Sequence, residues 1–409
     1  MRKILTIGEP LGMLCAATQG ELRNVDTFKR YVAGAELTYA VGMARLGYDV
    51  TYVTKVGNDP MGLHILDFLQ KEKVNTEFLD IVENYSTGIE MKRSNEDGWP
   101  DLYYFRGKTA AQLLSPKDIK RINFDEYDHL HVTGISIALS QSCREAVMEM
   151  ISKAHAHDIT VSFDPNLRPR LWPNEDEMRY VLNGITILCD IVFPELLEAQ
   201  KLLGTSDPDT IADFYISAGV KTVVLKMGDR GIFVKNKKER FFADDYPYTN
   251  IVDRMGIGEG FAVGITSALL EGRTLEHAIA RGRIIGAHIA TDTTTYGSMP
   301  NRETLIAWIK EVFYNDETVM RLYGEHIPDK ELPEETPLDA ATNRQFIKEQ
   351  LATVEMDAEP KDDLDKFLMK QKALDEEKRL EEAKLKTESL HKKNTDKSKK
   401  DAKADMGKE

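Results

Sequence analysis

Apolar residues in the first 315 positions fall into short runs separated by amphipathic stretches. The runs VTYVTKVG at 50–57, HLHVTGISI at 129–137, ITVSFDP at 159–165, ILCDIVF at 187–193 and TVVLKMG at 222–228 are β-branched and bounded by turn residues. They predict buried strands, and Lys3 to Ile7 reads as the first of the series. Between the runs, Cys143 to His157 and Pro208 to Ala218 carry apolar residues at helical spacing. Strands alternating with helices predict an α/β fold, a mainly parallel sheet with helices on both faces.

Two regions depart from the alternation. Residues 11–33 and 86–108 hold GMLCAA, TFKRYVAG, TGIEMKR and LYYFRGK, and the last two are joined by the polar link SNEDGWPD. They predict a small β-layer projecting from the main sheet, drawn from about 9–34 and 86–110. A lid over a pocket is the functional reading, and a peripheral hairpin without a binding role is the plain one. A third change comes after about Asn315, where 316–360 are acidic and proline-punctuated and 361–409 are rich in Lys and Glu. Such a segment buries too little apolar surface to offset the entropy of ordering. A domain over about 1–315 and a charged, disordered tail over 316–409 are therefore expected. Leu364, Phe367, Leu368, Leu374 and Leu380 form a thin stripe near 362–390, read as a solvated helix in preference to a partner-binding one.

Composition narrows the class. No stretch of the 409 residues approaches the roughly 20 apolar residues of a membrane helix, and Gly8, Glu9 and Pro10 interrupt the apolar start. A formal charge of −14 argues against general affinity for nucleic acid. Cys15, Cys143 and Cys189 are spaced for neither zinc nor a disulfide framework, so a reducing cytoplasm is the expected home. Whether the chain forms a homo-oligomer, and what the tail meets, stay open.

The strongest chemical signal is VDRMGIGEGFAVG at 252–264, entered by a strand-like run at Tyr248 to Val252 and left by an apolar helical pattern. Glycines allow a tight turn, and a helix N-terminus then offers free N–H groups and a positive dipole end to an anion. Glu259, at the same turn, has the chemistry to take a proton from an attacking hydroxyl.

This segment resembles the signature Asp-Thr-x-Gly-Ala-Gly-Asp of the ribokinase (PfkB) family, with Asp253, Arg254, Met255, Gly256, Ile257, Gly258 and Glu259 in its positions. The resemblance implies an anion hole from Gly256, Ile257 and Gly258, a catalytic base at Glu259 in place of Asp, and Asp253 beside the nucleotide. It continues through the first 315 residues, and several segments are similar to the ketodeoxygluconate kinase branch. AGAELTYAVGMARLGYDVTYVTKVGNDPMG at 33–62 resembles the sugar-site signature, keeping Gly34, Ala35 and Glu36 but carrying Thr38 where the family has Asn. Tyr104, Arg106 and the DPNLRPRLW segment with Arg168 resemble the branch's substrate contacts. Arginine suits that role, because its planar fork takes carboxylate or phosphate in two hydrogen bonds.

Gly228 and Gly231 in KMGDRG are similar to a turn beside ATP, Arg283 stands where the family has a nucleotide-side Asn, and Glu198 is what remains of a magnesium-linked Asn-x-x-Glu motif. ATP and Mg²⁺ are thus the implied cofactors, the metal arriving with the phosphates. The implied activity is ATP-dependent phosphorylation of a small sugar or sugar acid, similar to 2-keto-3-deoxygluconate, at its terminal hydroxyl. The alternative is a non-catalytic ligand-binding or regulatory scaffold, since Thr38, Glu195, Arg254, Ile257, Glu259 and Arg283 all depart from the family pattern close to ligands.

Overall fold

The computed structural model describes residues 2–18, 20–95, 98–244 and 250–315. The disorder expected for 316–409, and the helix near 362–390, lie outside the described residues. In chain order the strands are β1 (Lys3–Ile7), β2 (Leu11–Ala16), β3 (Phe28–Ala33), β4 (Asp49–Gly57), β5 (Leu79–Val82), β6 (Gly88–Arg93) and β7 (Asp101–Phe105). There follow β8 (His129–Thr133), β9 (Thr160–Asp164), β10 (Ile191–Val192), β11 (Thr222–Lys226), β12 (Ile232–Asn236) and β13 (Arg240–Ala243).

A nine-stranded sheet takes the order β13-β12-β11-β10-β9-β8-β1-β4-β5. From β11 to β5 every pair is parallel, and β12 and β13 close one edge as antiparallel strands. This agrees with the predicted α/β class. Strands such as β8 are buried at every residue, which is why they read as continuous apolar runs and not as alternating ones. The helices Ile257–Leu270 and Leu275–Ile289 meet glycine to glycine, for a Cβ on Gly264 would lie 2.4 Å from the Cα of Gly282.

Two runs are shorter as strands than their patterns predict. ILCDIVF contributes only Ile191–Val192, because residues 187–189 finish the helix Glu175–Thr186 through bonds such as Ile187 N to Asn183 O at 3.2 Å. Asp190 then turns the chain, its Oδ2 accepting from Val161 N at 2.8 Å. HLHVTGISI leaves the sheet at Thr133, whose hydroxyl caps the short helix Gly134–Ala138 by accepting from Ile135 N at 3.1 Å. The strand-like run Tyr248 to Val252 falls partly outside the described residues, and Asn250–Val252 is irregular.

A second sheet has the order β3-β2-β6-β7. Strand β6 is inverted relative to an ordinary half-buried strand: Gly88, Glu90 and Lys92 are buried while Ile89, Met91 and Arg93 are half exposed. A strand that turns its charges inward has polar company on that side.

Candidate active site

The glycine turn stands at the C-terminal edge of the parallel strands, where open α/β sheets collect their ligands. Gly256 has φ of 88°, and a Cβ there would approach Thr295 to 2.9 Å, so both conformation and space demand glycine. The helix Ile257–Leu270 begins here, its first internal bond running from Gly260 N to Gly256 O at 2.8 Å. Its leading N–H groups have no partner within the helix, as at any helix N-terminus, and are available to an anion. A Cβ on Gly258 would lie 3.6 Å from Lys226 Nζ and 3.8 Å from Asp164 Oδ2, so an ammonium sits close behind the turn.

Lys226, the last residue of β11, donates to Asp164 Oδ2 at 3.2 Å and lies 3.9 Å from Glu195 Oε1. Burial works against its charge, yet Asp164, Glu195 and Glu198 together hold the ammonium's pKa above its ordinary value. Glu198 spends its carboxylate on two backbone amides, Leu167 N at 2.7 Å and Glu195 N at 3.1 Å. Burial and the charge of Asp164 push it up to about 7. Among the described residues no cluster of three or more His, Cys, Asp or Glu is arranged to hold a metal ion. Such a donor set makes no all-protein cage, and would suit magnesium carried on nucleotide phosphates.

Glu259, half-buried on the first turn of the helix, faces the DPNLR segment. Asn166 Nδ2 donates to its Oε1 at 3.4 Å. Burial, then the charge of Asp164, raises the Glu259 pKa, and Arg168 and Lys226 oppose that rise. Two residues beyond Asn166, Arg168 is half-buried, donates to Leu167 O at 2.9 Å and places its charge near Tyr104. Arg106 lies over the Tyr104 ring at 4.6 Å and pairs with the buried Glu9 at 2.9 Å. Glu90, opposite Tyr104 in the β6–β7 register, completes this group. It is 1% exposed, its Oε1 lacks a hydrogen-bond partner, and burial pushes it up to about 7 although Lys92, Arg106 and Arg168 pull the other way.

Glu259, Gly256, Ile257 and Gly258 thus form one turn, and Arg168, Tyr104 and Arg106 form one cationic wall beside it. Gly34 caps the helix Ala35–Arg45 at φ of 129°, where a Cβ would come 2.7 Å from Glu9 O, and Ala35 follows it at 9% exposure. Thr38 turns inward, its hydroxyl 2.6 Å from that of Thr295, so it braces the segment behind Gly256. Asp253 is fully buried and bonded within the protein. Gly228 and Gly231 bound the one-turn helix Gly228–Arg230 beyond Lys226, and Arg283 is buried on the helix Leu275–Ile289. Asp164, Asn166, Lys226, Glu90 and Lys92 went unselected from the sequence. The first three lay inside quoted motifs, and the inverted alternation of TGIEMKR was the available signal for the other two.

A family model described as pfkB family carbohydrate kinase matches residues 1–302. The chain belongs to that family. This pfkB-family chain is 35% identical over 306 residues to a 2-dehydro-3-deoxygluconokinase of Bacillus subtilis (strain 168), covering 75% of the chain and 94% of the relative. A 2-dehydro-3-deoxygluconokinase of Thermoproteus tenax is 29% identical over 292 residues, 70% of this chain and 88% of that one. The crystal structure of a PfkB protein from Polaromonas sp. JS666 aligns with a TM-score of 0.69 at 32% identity, over 75% of this chain and 100% of that one. Within the pfkB-family fold described above, no helix of the described residues is long and apolar enough to cross a membrane.

Proposed function

We propose that this chain transfers the γ-phosphoryl group of ATP to the terminal hydroxyl of an acidic six-carbon sugar of the 2-keto-3-deoxygluconate class. The observation that carries the reading is the DPNLR segment, in which Asn166 orients the carboxylate of Glu259 and Arg168 stands two residues away. Base and carboxylate-binding arginine are thereby set by one stretch of backbone. The relatives from Bacillus subtilis and Thermoproteus tenax, both 2-dehydro-3-deoxygluconokinases, support the same substrate class.

In the proposed step Glu259 accepts the proton of the sugar hydroxyl as its oxygen forms the new bond to the γ-phosphorus. The bond from that phosphorus to the β,γ-bridging oxygen breaks, and ADP leaves. The N–H groups of Ile257 and Gly258 would bind the phosphoryl oxygens, and the Lys226 ammonium behind Gly258 adds positive charge. The raised pKa of Glu259 makes it a better proton acceptor than an ordinary carboxylate. Arg168 and Arg106 take the sugar carboxylate, and the sheet β3-β2-β6-β7 serves as the lid that brings Tyr104 and Arg106 over it.

Two departures from the family pattern have partners within the fold. Arg254 lies over the Trp99 ring at 5.4 Å, and Thr38 is bonded to Thr295. Sugar-dependent ADP release in a coupled assay, with Glu259 variants beside the parent, tests the proposal.

A further inference from the structure

The inner face of β6 carries a carboxyl group that the chemistry above leaves without a role. Glu90 is 1% exposed, and its Oε1 has no hydrogen-bond partner among the described residues. In the sheet it stands between the fully buried Met13 of β2 and Tyr104 of β7. Lys92 from its own strand, Arg106, Arg168 and Asp253 all bear on it. Cys15 of β2 also feels this carboxyl, but burial pushes its thiol up, which favours the uncharged form. Glu90 therefore belongs to the wall that the proposed reaction gives to the sugar carboxylate.

The cations of that wall are largely committed. Lys92 Nζ lies 2.8 Å from Asp253 Oδ2, and Arg106 Nε lies 2.9 Å from Glu9 Oε2. Glu9 is itself held in place, since Thr109 Oγ1 donates to its Oε1 at 2.7 Å and a Cβ on Gly88 would come within 3.0 Å of the same oxygen. Arg168 has no carboxylate at ion-pair distance among the described residues, so it is left to face both Glu90 and an incoming sugar acid. Two carboxylates in one poorly hydrated site do not both stay ionised, because each strengthens the other's hold on a proton. A 2-keto acid is a stronger acid than a carboxyl side chain, so the proton goes to the side chain.

We infer that Glu90 is a sugar-binding residue that meets the substrate carboxylate as the neutral acid, so that an acidic sugar bound from alkaline solution brings a proton with it. The proton passes from solvent to the Glu90 carboxylate, and the O–H so formed donates to an oxygen of the sugar acid, a strong charge-assisted bond. The inference rests on the reading of the substrate as a sugar acid. Burial already lifts Glu90 to about 7. Above that value the free protein must gain the proton on binding, and below it the proton is already in place.

The test is calorimetric titration of the full chain with 2-keto-3-deoxygluconate in buffers of different ionisation enthalpy, where the slope of observed heat against that enthalpy counts the protons taken up. The parent is expected to take up nearly one proton at about pH 8.5 and almost none at about pH 5.5, with affinity falling by up to about tenfold per pH unit above about 7. Glu90→Gln keeps the shape and a donor, and should bind the acidic sugar without proton uptake and with the same affinity at both pH values. Two results overturn the inference: no uptake by the parent at about pH 8.5, or an uptake that persists in Glu90→Gln and so belongs to another acid such as Glu259. The parent's slope decides the matter even where Glu90→Gln fails to fold. Binding of the acidic sugar without proton uptake would defeat the role of Glu90 alone, whereas no binding of that sugar at either pH would defeat the substrate reading and the inference with it.

Discussion

The side-chain amide of Asn166 donates to Glu259 Oε1 at 3.4 Å, from a backbone held at φ of 38°. With one oxygen engaged, the carboxylate has its other oxygen for the sugar hydroxyl in the proposed reaction. Asn166→Gly preserves the left-handed backbone and removes only the donor. Turnover is expected to fall about tenfold with little change in sugar KM, since misorientation of a base costs rate before it costs binding. A KM rise at unchanged kcat would assign Asn166 to sugar binding instead.

Arg168 bears on Tyr104, Glu90 and Glu259 at once. Removing a charge-assisted contact to a carboxylate should weaken the acidic sugar by about 10- to 100-fold in Arg168→Ala. A neutral sugar such as fructose should lose little further. Equal losses for both sugars, measured as KM, would contradict the carboxylate assignment.

Glu90 makes stability depend on pH. Its ordinary value is 4.5 and burial raises it to about 7, so between those values the folded chain holds a proton that the unfolded chain releases. Stability contributed by this group is therefore lost as pH rises from about 4.5 to about 7. Glu90→Gln removes the ionisation and should melt several degrees above the parent at about pH 8, with the gap closing near pH 5. Parallel melting curves for the two proteins across that range would rule out the raised carboxyl.

Much of this arrangement was legible from residues alone, for identifiable reasons. Fully buried parallel strands leave unbroken apolar runs, so β4, β8, β9 and β11 declared themselves. The glycine turn was visible because its backbone takes a conformation and a closeness to Thr295 that a side chain would block, as at Gly256. Strand β10 was overestimated because helix end, turn and strand are all apolar between residues 187 and 193. Glu90 and Lys92 escaped notice since an alternating strand does not say which face is inward, and here the charged face is. Thr38 reads as a sugar contact by position, and nothing in the residue pattern signalled that its hydroxyl also meets Thr295, a partner 257 residues away.

Glu259 is where the central claim is decided. Coupled-assay turnover of Glu259→Gln against the parent, with ATP, magnesium and 2-keto-3-deoxygluconate, tests it most directly, because the amide keeps the shape and removes the base. Sugar-dependent ADP release is expected from the parent and should fall at least about 100-fold in Glu259→Gln, with calorimetric affinity for both ligands nearly unchanged. Glu259→Asp, closer to the family's own length, should retain turnover. Undiminished ADP release from Glu259→Gln would show that another group takes the proton, and no sugar-dependent release from the parent would contradict the kinase account altogether.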